Sequence, residues 1–338
     1  MRPLPFLAVT VLVACSSSSG DGPLDDAGSG FDDSASPVDT GGGRPPADSG
    51  RVDAQADTRS SGDTKAGGDS TATDTATPPT DSATTGADSF VDEAGTWSVV
   101  WSDEFNGADG TEIDRSKWTY DDPQSGKYNK ELEYYTAGTA NAEQRGGNLV
   151  ITAKPDGADK FTCWYGPCRY TSARVFTKGL YATKYGRIAA SIQIPRGQGL
   201  WPAFWLLGDD IDAVSWPACG EIDVMENVGK TPKTDYGTLH APGFDKGSST
   251  DAPAPLADGF HVYAAEWDAS GIRFFLDDKP YTTLTPADVP AGGKWAFDHP
   301  FFLLFNVAVG GGWPGDPDGT TTFPQTMKVD WVRVYTKA

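Results

Sequence analysis

Beyond Trp97, apolar residues fall into short runs separated by glycine-, proline- and aspartate-rich turns. The runs predict strands over Asn148–Lys154, Gly186–Ile194, Gly199–Leu207, Gly220–Asn227, Thr238–His240, His261–Trp267, Ile272–Leu276, Phe301–Val309 and Lys328–Tyr335. Alternation is visible from Arg187 to Ile194, where Ile188, Ala190, Ile192 and Ile194 share one side; period 2 marks a strand with one buried face. Gly199–Leu207 and Phe301–Val309 are apolar on both faces, as expected of strands covered by a second layer. Arg145-Gly146-Gly147 and Asp277-Asp278-Lys279 are turn signals. No useful helical period interrupts the pattern, so it implies an all-β antiparallel sandwich.

One run breaks the alternation. Gly220-Glu221-Ile222-Asp223-Val224-Met225-Glu226-Asn227 puts Glu221 and Asp223 on one face and Ile222 and Val224 on the other. Strict alternation would then leave Glu226 on the apolar side. One extra residue, a β-bulge at Val224-Met225, returns it to the acidic side.

Carboxylates so placed suit glycosidic cleavage: one attacks the anomeric carbon or activates water, and the other protonates the leaving oxygen. Glu221 and Glu226 would lie about 13 Å apart along a straight strand. Retaining chemistry needs carboxyl groups about 5–5.5 Å apart, so the long side chains must lean together. Asp223, between them, can hydrogen-bond one glutamate and tune its proton affinity. Three acids this close do not all ionise, so one is expected to stay protonated near neutral pH, as a general acid must. Upstream, Trp201 and Trp205 are four residues apart and share a face if Gly199–Leu207 is a strand. Indole faces stack on pyranose rings, and beside the acids they predict a sugar groove.

Composition extends this picture at the N-terminus. Arg2 precedes an apolar stretch that ends in Leu12-Val13-Ala14-Cys15. This is a secretory leader pattern, and it resembles the lipobox of bacterial lipoproteins, which implies lipidation of Cys15 and an outer-membrane or cell-surface location; a cleaved leader with an incidental cysteine, and so a secreted protein, is the alternative. Residues 16–95 are Ser, Asp, Gly, Thr, Ala and Pro with few large apolar residues, and are expected to form a disordered spacer. The globular domain is expected over 96–338. The 338-residue chain has a net charge of −20, which argues against nucleic-acid binding. No apolar run past the leader is long enough for a membrane span, so membrane contact is expected only through the Cys15 anchor.

Cys163 and Cys168 flank Trp-Tyr-Gly-Pro in a turn-rich insertion, and in an oxidising compartment a local disulfide would staple that loop. Cys219 would be left over as a small buried residue. The remaining cysteines and the scattered His240, His261 and His299 lack zinc spacing.

Glu221-Ile222-Asp223-Val224-Met225-Glu226 resembles the signature of glycoside hydrolase family 16 in its laminarinase-like branch, which carries the extra bulge residue. The resemblance runs from Trp97 to Tyr335 through Trp101-Ser102-Asp103-Glu104-Phe105, Tyr128-Asn129-Lys130-Glu131-Leu132-Glu133-Tyr134-Tyr135, Tyr170-Thr171-Ser172-Ala173-Arg174, Trp201-Pro202-Ala203-Phe204-Trp205, Asn306-Val307-Ala308-Val309-Gly310-Gly311 and Asp330-Trp331-Val332-Arg333-Val334-Tyr335. It implies a concanavalin-like β-jelly-roll sandwich of two curved antiparallel sheets with a concave cleft, and retaining hydrolysis inside β-1,3-glucan chains. By position, Glu221 would be the nucleophile, Asp223 its assisting acid and Glu226 the acid/base. Trp201 and Trp205 would line the glycone side, and Arg174 and Asn129 would bind sugar hydroxyls. His240 would stand near the acids, Glu131 is a further cleft candidate, and Trp313 sits in a loop bordering the leaving-group side. That loop departs from the family at Gly312, and the Cys163–Cys168 insertion is unusual for it.

The resemblance further implies no cofactor for catalysis and a structural calcium on the convex side, held by the Asp330 carboxylate and carbonyls near Glu104 and Gly147; oxygen ligands suit that ion. A β-glucan polysaccharide is the expected partner, and a monomer the expected state. A mixed-linkage β-1,3-1,4-glucanase or another family-16 polysaccharide hydrolase, and a non-catalytic glucan-binding module, are the alternatives, the module disfavoured by an intact set of acids.

Overall fold

The computed structural model describes residues 89–92, 95–121, 124–125 and 129–337. The leader with Cys15, almost all of the spacer, and Tyr128 lie outside the described residues. The longer strands are β1 (Gly95–Asp103), β2 (Asn148–Ala153), β3 (Arg174–Phe176), β4 (Gly186–Gln193), β5 (Leu200–Gly208), β6 (Glu221–Glu226), β7 (Thr234–Ala241), β8 (Phe244–Asp251), β9 (His261–Asp268), β10 (Gly271–Leu276), β11 (Lys279–Leu284), β12 (Phe301–Val309) and β13 (Gln325–Lys337).

Two large sheets form. One runs β1-β13-β4-β9-β10-β11, with β2 also on β13; the other runs β8-β7-β6-β5-β12-β3. Between them lies the main core. Leu200, Phe204 and Leu206 of β5 and Phe305 of β12 meet Ile188 of β4, Tyr263 of β9, Phe274 of β10 and Val332 of β13. Each such burial contributes about 1.5–3 kcal/mol. The pattern of a two-layer jelly roll is thus present, and the strands apolar on both faces are those the second sheet and the site residues cover.

The structure adds strands β1, β3 and β11, for which no run was predicted, lengthens the last strand to Gln325–Lys337, and departs from expectation in three further ways. First, the ordered part begins before residue 96: Ser89–Asp92 forms a strand paired with β1, Phe90 opposite Trp97. Second, Thr234–Ala241 is longer than expected, and β8 was not legible at all. β8 is an edge strand, mostly exposed, reading Phe-Asp-Lys-Gly-Ser-Ser-Thr-Asp; edge strands are kept polar against unwanted pairing, which erases the alternation. Third, not every pairing is antiparallel, since Tyr170–Ser172 runs parallel to Glu133–Tyr135.

In β6, Ile222, Val224 and Met225 all enter the core between the sheets. Asp223 faces Trp205 of β5 while Met225 faces Phe204, so Val224 is the extra residue. On the other side Asp223 pairs with Thr238 and Glu226 with Tyr236, so Val224 and Met225 stand against Gly237 alone. Beside this bulge, β7 places Gly237 toward the opposite sheet. A Cβ there would come within 2.5 Å of the Tyr281 hydroxyl and 2.8 Å of Phe274, so a side chain would force the sheets apart.

Candidate active site

Alternation sends Glu221 and Asp223 to the side of β6 away from the core, and the bulge sends Glu226 to join them. They are nevertheless only 0, 2 and 4% exposed, sunk among neighbours on the same face. Trp201 donates its indole N–H to Glu226 Oε1 at 2.9 Å. Trp205 donates to Asn306 Oδ1 at 2.8 Å. From β7, His240 sits opposite Glu221. Its Nε2 lies 3.1 Å from Asp223 Oδ2 and 3.9 Å from Glu221 Oε1, and its Nδ1 lies 3.4 Å from Asp245 Oδ1. The family resemblance placed His240 near the acids, and the pairing of β7 with β6 is what brings it there.

These placements set the protons. Burial pushes Glu226 well above the usual carboxylate range, and the charges of Asp223 and Glu221 push it further; His240 and the Trp201 N–H only partly offset them. Burial also raises Asp223, against the pull of His240. For His240, burial would lower the imidazole, but the flanking carboxylates outweigh it and lift it to about 12. We read Asp223 and His240 as a pair holding one proton, with the imidazolium its main owner, because two carboxylates besides Asp223 face the ring. Glu226 is then the group left protonated at neutral pH.

The other sequence candidates are distributed as follows. Trp313 is half-buried and packs edge-on against Trp201, ring centroids 5.3 Å apart, and against Tyr236 at 5.0 Å. Trp201 and Trp205 are each 4% exposed. They therefore differ from the expected row of open stacking faces, and what they present to the site is chiefly N–H groups, because β12 and the Trp313 loop cover their rings. Arg174 also differs from expectation. Its Nε donates to Asp121 Oδ2 at 2.6 Å, its Nη2 bonds the same oxygen, and its guanidinium lies over the Tyr135 ring. The buried Asp121 neutralises it, so Arg174 acts as a structural tie rather than an open hydroxyl binder.

Asn129 Nδ2 donates to Glu131 Oε1 at 2.9 Å. Glu131 is buried and raised by that burial. Glu133 beside it is raised well above its usual range by burial and by Glu131, while Glu133 Oε2 accepts the Val309 N–H at 2.7 Å. Sequence reasoning gave no role to Asn306 or Asp121. Asn306 was detectable, as the one polar side chain in the apolar run Phe301–Val309; Asp121 carries no such signal.

Among the described residues, Glu221, Asp223 and His240 form the cluster compact enough to hold a metal, with ligand atoms within 4.8 Å of one another. The His240 imidazolium already supplies the positive charge there. Cys163 and Cys168 are joined as a disulfide. Cys219 is free and buried, and burial pushes its thiol up to about 12.

Comparison with known proteins bears on the same stretch. The model of the family described as Glycosyl hydrolases family 16 matches residues 129–333. A beta-glucanase of Rhodothermus marinus is 40% identical over 261 residues, covering 72% of this chain and 87% of that protein. The catalytic domain of an endo-1,3-beta-glucanase (laminarinase) from Thermotoga petrophila superposes with a TM-score of 0.66 at 41% identity, covering 71% of this chain and 98% of that one. The endo-beta-1,3-glucanase of Pyrococcus furiosus gives 0.69 at 38% identity, covering 75% and 99%. Acid strand, bulge and jelly roll agree with this match over most of the chain, which belongs to glycosyl hydrolase family 16.

Proposed function

We propose that this chain is a retaining endo-glycosidase that hydrolyses β-1,3-glucan. The observation that carries the reading is the buried trio on β6, in which Glu226 keeps its proton while His240 holds positive charge against Asp223 and Glu221. The relatives, named as β-glucanases and β-1,3-glucanases, supply the substrate class.

In the first step a Glu221 carboxylate oxygen bonds the anomeric carbon. The glycosidic C–O bond breaks as Glu226 passes its proton to the departing oxygen. In the second step Glu226, now a carboxylate, takes a proton from water. The water oxygen bonds the anomeric carbon, and the Glu221 ester bond breaks. Two inversions leave the β configuration. Asp223 and His240 act on Glu221 and Glu226 through charge and orientation. Purified full-length protein incubated with laminarin, mixed-linkage β-1,3-1,4-glucan and agarose should release reducing ends fastest from laminarin. Release only from the mixed-linkage polymer would reassign the substrate, and release from none would overturn the reading.

A structural calcium is a separate proposal. Asp330 is exposed and is the extra residue of a second bulge, where Ser191 faces Trp331 and Ile192 faces Val329. The pairing of Val329 with Leu149 and of Val332 with Asp103 brings that bulge to the ends of β2 and β1, near Gly147 and Glu104. The buried Asn148 Oδ1 has no hydrogen-bond partner there. Glu104 spends its carboxylate on Arg333, at 2.9 and 2.7 Å, leaving its carbonyl for an ion. This all-oxygen set fits calcium. Calcium should raise the melting temperature after chelation by several degrees, and Asp330→Ala should remove that response. An equal response in both proteins would exclude this site.

A further inference from the structure

The insertion between Cys163 and Cys168 lies outside the machinery described so far, and it carries an aromatic side chain that the fold leaves out in solvent. Thr162–Cys163 and Gly166–Pro167 form a small hairpin closed by the disulfide. Trp164 at its tip is 50% exposed, although Trp is among the side chains a fold gains most by burying. It is also held in place. Its indole N–H donates to the Glu131 carbonyl at 2.8 Å, and Tyr165 stands edge-on to it at 5.2 Å. The Tyr165 hydroxyl in turn bonds the Leu132 carbonyl and accepts the Arg169 N–H at 2.9 Å. The platform is therefore fixed to the segment that also carries Asn129 and Glu131.

In front of it lies a pocket of about 280 Å³ lined by Lys130, Trp164, Arg169, Gly311, Gly312 and Asp316 among others. Its floor is the loop that follows β12. Gly310 permits the close approach, because a Cβ there would meet Leu132 Cδ1 at 2.5 Å. The same loop carries Trp313, which packs on Trp201, which bonds Glu226. One loop thus joins the pocket to the acids.

The chemistry of the lining selects a ligand class. Arg169 and Asp316 pair at 3.2 Å and largely cancel in charge, yet they offer donors and acceptors side by side. A fixed indole next to such a pair, with the Lys130 ammonium as a further donor, suits a polyhydroxylated ring. We propose that Trp164 and this pocket form an additional subsite for a glucosyl unit of the polysaccharide, separate from the acid trio and built by the stapled hairpin. The proposal rests on the β-glucanase reading for its ligand. Pre-organised platforms of this kind add affinity because little freedom is lost on binding.

The test uses full-length protein carrying Trp164→Ala or Trp164→Tyr, with Phe260→Ala, an exposed aromatic elsewhere, as control. KM on laminarin and retardation in laminarin-containing native gels are measured beside kcat/KM on a laminari-trisaccharide, whose three rings are expected to occupy the acid site alone. Trp164→Ala should weaken laminarin binding by about three- to tenfold in both assays, the scale of one aromatic contact. Trp164→Tyr should recover part of the loss, and the trisaccharide should be turned over as by the parent. Unchanged laminarin binding, or equal losses on polymer and trisaccharide, would overturn the subsite. A parent protein that is retarded by laminarin but cleaves no glucan would overturn the hydrolase reading alone, and the gel assay would still decide the subsite.

Discussion

Glu221→Gln is expected to lower kcat on laminarin by a factor on the order of 10⁶, the scale seen when a catalytic nucleophile is removed. The amide has nearly the same shape but cannot form the glycosyl ester. Folding should survive. Glu221 is fully buried with His240 and Asp223 close by, and removing one negative charge from a crowded acidic site relieves repulsion. Glucan affinity should also survive, since the substitution leaves every other side chain of the site in place. The check is single-turnover kinetics beside laminarin affinity electrophoresis. Near-normal turnover would mean that another group attacks the anomeric carbon.

Glu226→Gln should behave differently. On laminarin its loss should be about 10²–10⁴-fold, typical of removing a general acid. On an aryl β-glucoside whose leaving group departs without help, the loss should be much smaller. The pH profile carries a second sign. Glu226 acts as an acid only while protonated, and burial with Asp223 nearby holds its proton well above the ordinary glutamate value of 4.5. Wild-type activity should therefore persist through that ordinary range and fall only as pH rises through the elevated folded-state value. In Glu226→Gln that basic limb should vanish. A basic limb that is unchanged in the variant would assign the acid to a different group.

Much of the fold was legible because the strands beyond Trp97 are either alternating or apolar throughout, and both patterns survive in sequence. The failures have physical causes. β8 is a polar edge strand, and Ser89–Asp92 is tied down by pairing with β1 rather than by its own composition. At the site, the acid strand and its bulge were readable because three carboxylates out of phase by one residue have few structural explanations. The neighbours were not readable in the same way. Arg174 looked available for hydroxyl groups until Asp121, 53 residues earlier, proved to hold it in the buried interior. Trp201 and Trp205 looked like open platforms until the loop at Trp313 and strand β12 covered them.

By itself the sequence determined which side chains share a face of β6. That follows from local backbone geometry, a period of two with one residue inserted. Crowding alone required one of the three to keep its proton but did not say which, because a pKa depends on burial and on charges that arrive from other strands. Only the tertiary structure brings His240 within 3.1 Å of Asp223 and the Trp201 N–H to Glu226. It also sinks all three acids out of water, which turns an acidic strand into a site with one proton to give.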